Sequence, residues 1–208
     1  MRSSAKLALY CGIVSPVLWL ALLAVGGALQ PGFSPLTHYI SELGTRGSPN
    51  ESLIRSAAFG LTGFLYVCFA LGLRATHRQG WLFAAACCLI ALEGIGRMGA
   101  GVFPCDPGCV RATETQDLHT RFATVGFCSG ILAALLWGAL LRSRFSVGCG
   151  VVALVSLLLM SWEGNPWGGP GLFEHLATIV LSIWLFVFAV RAIHHQSAVA
   201  PDRFTSSA

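Results

Sequence analysis

Charge is what this chain has least of. Only 11% of its 208 residues are Asp, Glu, Lys or Arg, whereas 55% are hydrophobic. Soluble domains carry about 25% charged residues, so a water-soluble globular fold is excluded and a membrane protein is indicated. The mean hydropathy of +0.71 agrees. The net charge of +4 gives no reason to invoke nucleic acid, because the basic residues are dispersed and sit at helix ends. A secreted disulfide scaffold is missing as well. Cys11, Cys68, Cys87, Cys88, Cys128 and Cys149 all fall inside apolar runs, where cysteine behaves as a small hydrophobe. Metal-ligand spacing such as His-x-x-x-His is also absent.

What is present is a series of long apolar runs. Crossing the ~30 Å hydrocarbon core takes about 20 mostly apolar residues. Six stretches qualify: 7–29, 53–73, 81–103, 120–141, 145–162 and 172–190. The fold class expected is therefore all-α: a single-domain bundle of six transmembrane helices over 1–195, with a flexible polar tail at 196–208. The first run is longer than a signal-peptide core and is followed by no Ala-x-Ala cleavage site, so it reads as a retained helix.

Basic residues set the expected orientation. Arg2, Lys6, Arg74, Arg78, Arg142, Arg144, Arg191 and Arg203 fall on one side; Arg46, Arg55, Arg111 and Arg121 fall on the other. Both termini are then cytoplasmic in a multi-pass protein of the cell membrane. The acids are more lopsided still. Glu42, Glu51, Asp106, Glu114, Asp117, Glu163 and Glu174 lie outside, Glu93 lies within the third helix, and only Asp202 is cytoplasmic. Any chemistry is expected on the outer face, where the long loops are.

In the first outer loop, Ser34 to Gly44 reads as a short interfacial helix. Ser34 suits the cap, Pro35 the first turn and Gly44 the stop. Leu36, Tyr39, Ile40 and Leu43 share one face of that helix; Thr37, His38, Ser41 and Glu42 share the other. The third helix carries Glu93 and Arg97 one turn apart, acid first. Ionisable groups at such depth are costly unless paired or wetted, so they either serve a site or fix helices by an ion pair.

Cys105-Asp106-Pro107-Gly108-Cys109 places a turn between two thiols, which suits a structural disulfide; a redox-active pair is the alternative. His119 opens the fourth helix, and His175 follows Glu174 in the sixth, after a Gly- and Pro-rich run at 164–171 whose glycines allow close approach to a ligand. Each histidine reads either as a cap or as a ligand. His38, His119 and His175 together could hold a divalent metal such as zinc, with Asp106 or Glu42 near it.

These residues resemble a known family. His38-Tyr39-Ile40-Ser41-Glu42-Leu43-Gly44, Arg97 ahead of Phe103-Pro104-Cys105-Asp106, His119, and Gly171-Leu172-Phe173-Glu174-His175 are together similar to the six-helix prokaryotic membrane family catalogued as domain of unknown function 998. That resemblance implies the topology and a shared outer site, and brings no reaction with it. A looser likeness is to membrane metallohydrolases such as alkaline ceramidases and adiponectin receptors. Those gather three histidines, a serine and an acid, but on seven helices and with paired histidines.

Two functions are therefore expected. One is an enzyme hydrolysing or transferring part of a lipid-like substrate at the outer leaflet. Its catalytic candidates are His38, Ser41, Glu42, Asp106 and His119, and its substrate-binding candidates are Glu93, Arg97, Glu174 and His175. The other is a non-catalytic protein that binds a lipid or a partner, with the polar cluster as structural glue.

Overall fold

The computed structural model describes residues 3–76 and 80–198. Arg2, Arg78, Asp202 and Arg203, which entered the orientation argument, lie outside them, as does the tail from 199 onward. Six helices follow in order: α1 (Ser3–Leu29), α2 (Leu53–Thr76), α3 (Trp81–Val102), α4 (Glu114–Leu140), α5 (Arg144–Met160) and α6 (Pro170–Ala198). Each packs on its neighbours in sequence, and α6 returns to α1, so the helices close into a ring. Contact across the ring is sparse: α4 and α6 barely touch.

Five of the helices are long and apolar enough to cross a membrane; α5, at 17 residues, is a shorter apolar helix. The side chains facing away from the ring are those of a lipid-facing surface. Leu7, Phe64, Leu71, Trp81, Leu132 and Leu158 are each more than half exposed, which a protein in water would not tolerate over so many helices. Inside the ring, small residues let backbones close up. A Cβ on Gly96 would stand 2.5 Å from the Gly126 nitrogen, and one on Gly94 2.4 Å from the Gly63 carbonyl. These contacts seat α3 against α4 and α2.

The long connections, 30–52, 103–113 and 161–169, gather at one end of the bundle. There the expected 35–43 helix does not form. Residues 35–37 make a turn, Tyr39 is extended (φ −64°, ψ 148°), and only Ile40–Gly44 is helical, as a 3-10 turn. The consequence for burial is large. A 3-10 turn repeats every three residues, not 3.6, so the expected two faces are broken up. Ile40 and Leu43 are buried with Trp19, Ile54 and Phe59, whereas Leu36 is exposed and the polar Ser41 turns inward.

Other boundaries move for local reasons. The first turns of α2, Leu53–Leu61, are π-helical. Helix α4 starts at Glu114 because Thr113 accepts a hydrogen bond from the Gln116 amide at 3.2 Å. His119 therefore lies more than a turn inside α4. Helix α6 runs to Ala198, beyond the expected 190.

Candidate functional site

The site lies under the 3-10 turn, at the long-loop end of the ring. Two hydrogen-bonded side chains form its centre: the His119 Nε2 and the Ser41 hydroxyl are 2.9 Å apart. The other ring nitrogen, Nδ1, faces only carbonyl oxygens, those of Phe103 at 2.7 Å and Ala100 at 3.0 Å. Carbonyls accept and never donate, so Nδ1 carries the proton. In the neutral ring, Nε2 is then the acceptor and the Ser41 O–H donates to it. Ser41 is 7% exposed and His119 5%. The chain ends of α3 thus fix the tautomer of a histidine on α4, which in turn orients a serine on the loop between α1 and α2.

The turn that presents Ser41 is itself held from both sides. Glu174 on α6 accepts from the Ile40 amide at 2.7 Å, and Glu42 accepts from the Tyr39 amide at 2.8 Å. Burial raises the Tyr39 phenol above its ordinary value, and the nearby Glu174 carboxylate adds to that.

Deeper in the ring, Arg97 lies between two aromatic rings, 4.1 Å from the Trp19 centroid and 4.7 Å from that of Tyr66. Its Nη2 pairs with Glu93 at 3.4 Å and reaches the Tyr66 hydroxyl at 3.5 Å. One hydrogen-bonding atom on each member of the pair, Nη1 of Arg97 and Oε2 of Glu93, is buried with no partner. An unpaired buried donor normally costs ~1–3 kcal/mol, so this pair has capacity to spare for a ligand group. Both residues line a cavity of about 50 Å³ together with Ser41, Glu174, Thr178 and Phe127. A second cavity, of about 420 Å³, shares Ser41, Ala123, Phe127 and Glu174 with the first and extends along α4 and α5.

The remaining predicted residues are used locally. Asp106 accepts from the Thr113 amide and hydroxyl, each at 3.0 Å, and so ties the 105–113 loop to the start of α4. The His38 Nδ1 accepts from the Ser34 amide at 2.9 Å, and the His175 Nδ1 donates to the Gly171 carbonyl at 2.8 Å. Both of these rings pack on Phe33, while His119 packs on Phe59. The three histidines are therefore not gathered as a ligand set: among the described residues, no three His, Cys, Asp or Glu side chains are grouped to hold a metal ion. The Gly/Pro run also finds a protein partner where a ligand was expected. A Cβ on Gly171 would stand 2.3 Å from the His38 carbonyl, and the Leu172 amide donates to Leu36 O at 3.1 Å.

The expected Cys105–Cys109 disulfide is corrected. Both cysteines are free thiols. The Cys105 sulfur lies 3.4 Å from the Thr45 hydroxyl. The Cys109 contact lowers the Cys105 thiol, and the same contact raises that of Cys109.

Sequence reading missed Trp19, Tyr66, Gln116 and Thr178. Thr178 carried a usable signal, standing one turn after Glu174 in an otherwise apolar helix. Gln116, which accepts from the Asp106 amide at 2.8 Å, lies one turn before His119. Trp19 carried none, since an aromatic in an apolar run has no mark of its own.

No curated protein and no solved structure matches the chain. A family model does, and its match runs from α1 into α6, taking in Ser41, Glu93, Arg97, His119 and Glu174. Over residues 13–191 the chain matches the family described as "Protein of unknown function (DUF998)", and it belongs to that family.

Proposed function

We propose that this multi-pass membrane protein is a hydrolase or transferase acting on a lipid-like substrate at the outer membrane face, with Ser41 as nucleophile and His119 as general base. The observation that carries the reading is the Ser41–His119 hydrogen bond at 2.9 Å, with Nδ1–H spent on the Phe103 and Ala100 carbonyls. A serine hydroxyl is a poor nucleophile until an oriented base can take its proton. Here backbone carbonyls do the orienting that a carboxylate does in the familiar triad.

In the proposed reaction, Ser41 Oγ attacks an acyl carbonyl and its proton passes to His119 Nε2. The tetrahedral adduct collapses, the bond to the leaving oxygen or nitrogen breaks, and that atom takes the proton back from Nε2. Water, or a second acceptor molecule, then attacks the acyl-serine with the same proton relay and frees the enzyme. Arg97, through its unpartnered Nη1, supplies positive charge in the same cavity for the developing oxyanion or an acidic substrate group. Glu174 positions Ser41 by holding the Ile40 amide. The surplus of basic residues on the opposite side of the sequence pattern supports an outer location for this end.

The competing reading is a structural polar cluster in a lipid- or partner-binding protein. It is favoured by the same hydrogen bond, which fastens the 3-10 turn to α4. Ester hydrolysis by the purified protein separates the two. The enzyme reading expects turnover that Ser41→Ala and His119→Gln each cut by at least about 10²-fold while both variants stay folded. Folded wild-type protein with no turnover on a panel of lipid esters and amides favours the structural cluster.

A further inference from the structure

The larger cavity names the part of the substrate that the site must accommodate. It is walled by Gln116, His119, Ala123, Thr124 and Phe127 on α4 and by Leu157 and Met160 on α5. From Gln116 to Phe127 it follows about 16 Å of helix. Its volume, about 420 Å³, falls within the roughly 300–1,000 Å³ typical of small-molecule sites. Its composition is graded. Tyr39, Arg111 and Gln116 stand at the loop end, Thr120, Thr124 and Ser161 add hydroxyls along the way, and Ala123, Phe127, Leu157 and Met160 form the apolar inner part. Ser41 lies at the junction with the small Arg97 cavity. Leu157 and Met160, in the last turn of α5, supply its apolar wall.

A crevice that is polar at its mouth and apolar at its inner end suits one amphiphile lying lengthwise, its head at the loops and its chain against Phe127, Leu157 and Met160. We infer that the α4–α5 crevice takes the acyl chain of the substrate, so that the enzyme cleaves or transfers a long-chain lipid ester or amide whose carbonyl rests at Ser41. This rests on the hydrolase reading for the reacting group, whereas the chain site can be read by itself. Small water-soluble acyl compounds would leave the crevice unfilled and are disfavoured accordingly.

The experiment uses the full chain in nanodiscs with p-nitrophenyl esters of 2 to 16 carbons. The inference expects kcat/KM to rise at least about tenfold from the shortest ester to the longest, since each buried methylene adds discrimination. Leu157→Trp, which fills the wall, is expected to move the optimum to shorter chains. A flat chain-length profile, or one that Leu157→Trp leaves unmoved, overturns the inference while Ser41-dependent hydrolysis keeps the hydrolase reading. A second readout needs no turnover: a 16-carbon fatty-acid ester with a terminal diazirine is photolysed on the Ser41→Ala protein. Adducts on the peptides holding Phe127 and Leu157 support the chain site, even if hydrolysis fails. Adducts confined to the lipid-facing positions of all helices overturn it.

Discussion

At the scale of single residues, three side chains bear most of the argument. The carbonyls of Phe103 and Ala100 fix the tautomer of His119, and that tautomer makes Ser41 the donor. Ser41→Ala is therefore expected to cut ester turnover by about 10⁴-fold or more, and His119→Gln by about 10²–10⁴-fold, with KM changed little in each, as steady-state kinetics can measure. Arg97 presents a different balance. Its charge is buried against Glu93, so Arg97→Met leaves an uncompensated acid and is expected to cost about 3–5 kcal/mol. The double variant Glu93→Gln/Arg97→Met should recover much of that loss in a thermal melt. Were the double variant less stable than the single one, the pair would not be compensating in this way. Glu51 gives a pH signature. The Gly47 amide at 2.8 Å and the Arg55 guanidinium hold its carboxyl below the ordinary 4.5. A depressed carboxylate stabilises the fold above its unfolded value, and the contribution fades as pH falls through the folded one. Melting curves of wild type and Glu51→Gln should therefore differ above pH 4.5 and converge below it.

At the scale of elements, the 3-10 turn at Ile40–Gly44 is the part that sequence reading located but shaped wrongly. Its polar residues and its caps were visible. Helical-wheel sorting assumed a period of 3.6, however, and the extended Tyr39 resets the period. Part of that break is local, since Glu42 accepts from the Tyr39 amide; the rest follows from a carboxylate on α6 that claims the Ile40 amide. Glu174→Gln keeps an acceptor there and should preserve the turn, whereas Glu174→Leu should free it. Hydrogen exchange at the Ile40 amide tests this directly: equal protection in the two variants would refute the assigned role. The α3–α4 crossing makes a second element-scale prediction. Gly96→Ala drives a Cβ to 2.5 Å from the Gly126 nitrogen, so overpacking should cost ~1–3 kcal/mol. Both helices were evident from hydropathy, but their facing glycines were not. At Gly130 the missing Cβ makes room for the Glu93 carboxylate, whose Oε2 would lie 2.7 Å from it.

At the scale of the molecule, the six apolar helices were largely legible because lipid imposes long apolar runs that hydropathy reads without knowledge of contacts; their closure into a ring was not. The site was legible in part. Ser41, Glu93, Arg97, His119 and Glu174 were singled out by being polar at one end of an apolar chain, and they do share two adjoining cavities. His38, Asp106 and His175 carried the same signal and are bound up in local turns. A single sequence cannot tell a histidine that caps a turn from one that faces a cavity, because the difference lies in which neighbour reaches it first. The chemistry proposed for this end of the bundle requires Ser41 to be an activated nucleophile. The most direct measurement is the reaction of purified full-length protein with an alkyl fluorophosphonate, followed by mass-spectrometric location of the adduct. A single phosphonylated residue is expected, Ser41, with labelling lost in Ser41→Ala and slowed at least about 10²-fold in His119→Gln. Folded protein that takes up no adduct at Ser41, or labels there as fast without His119, would contradict it.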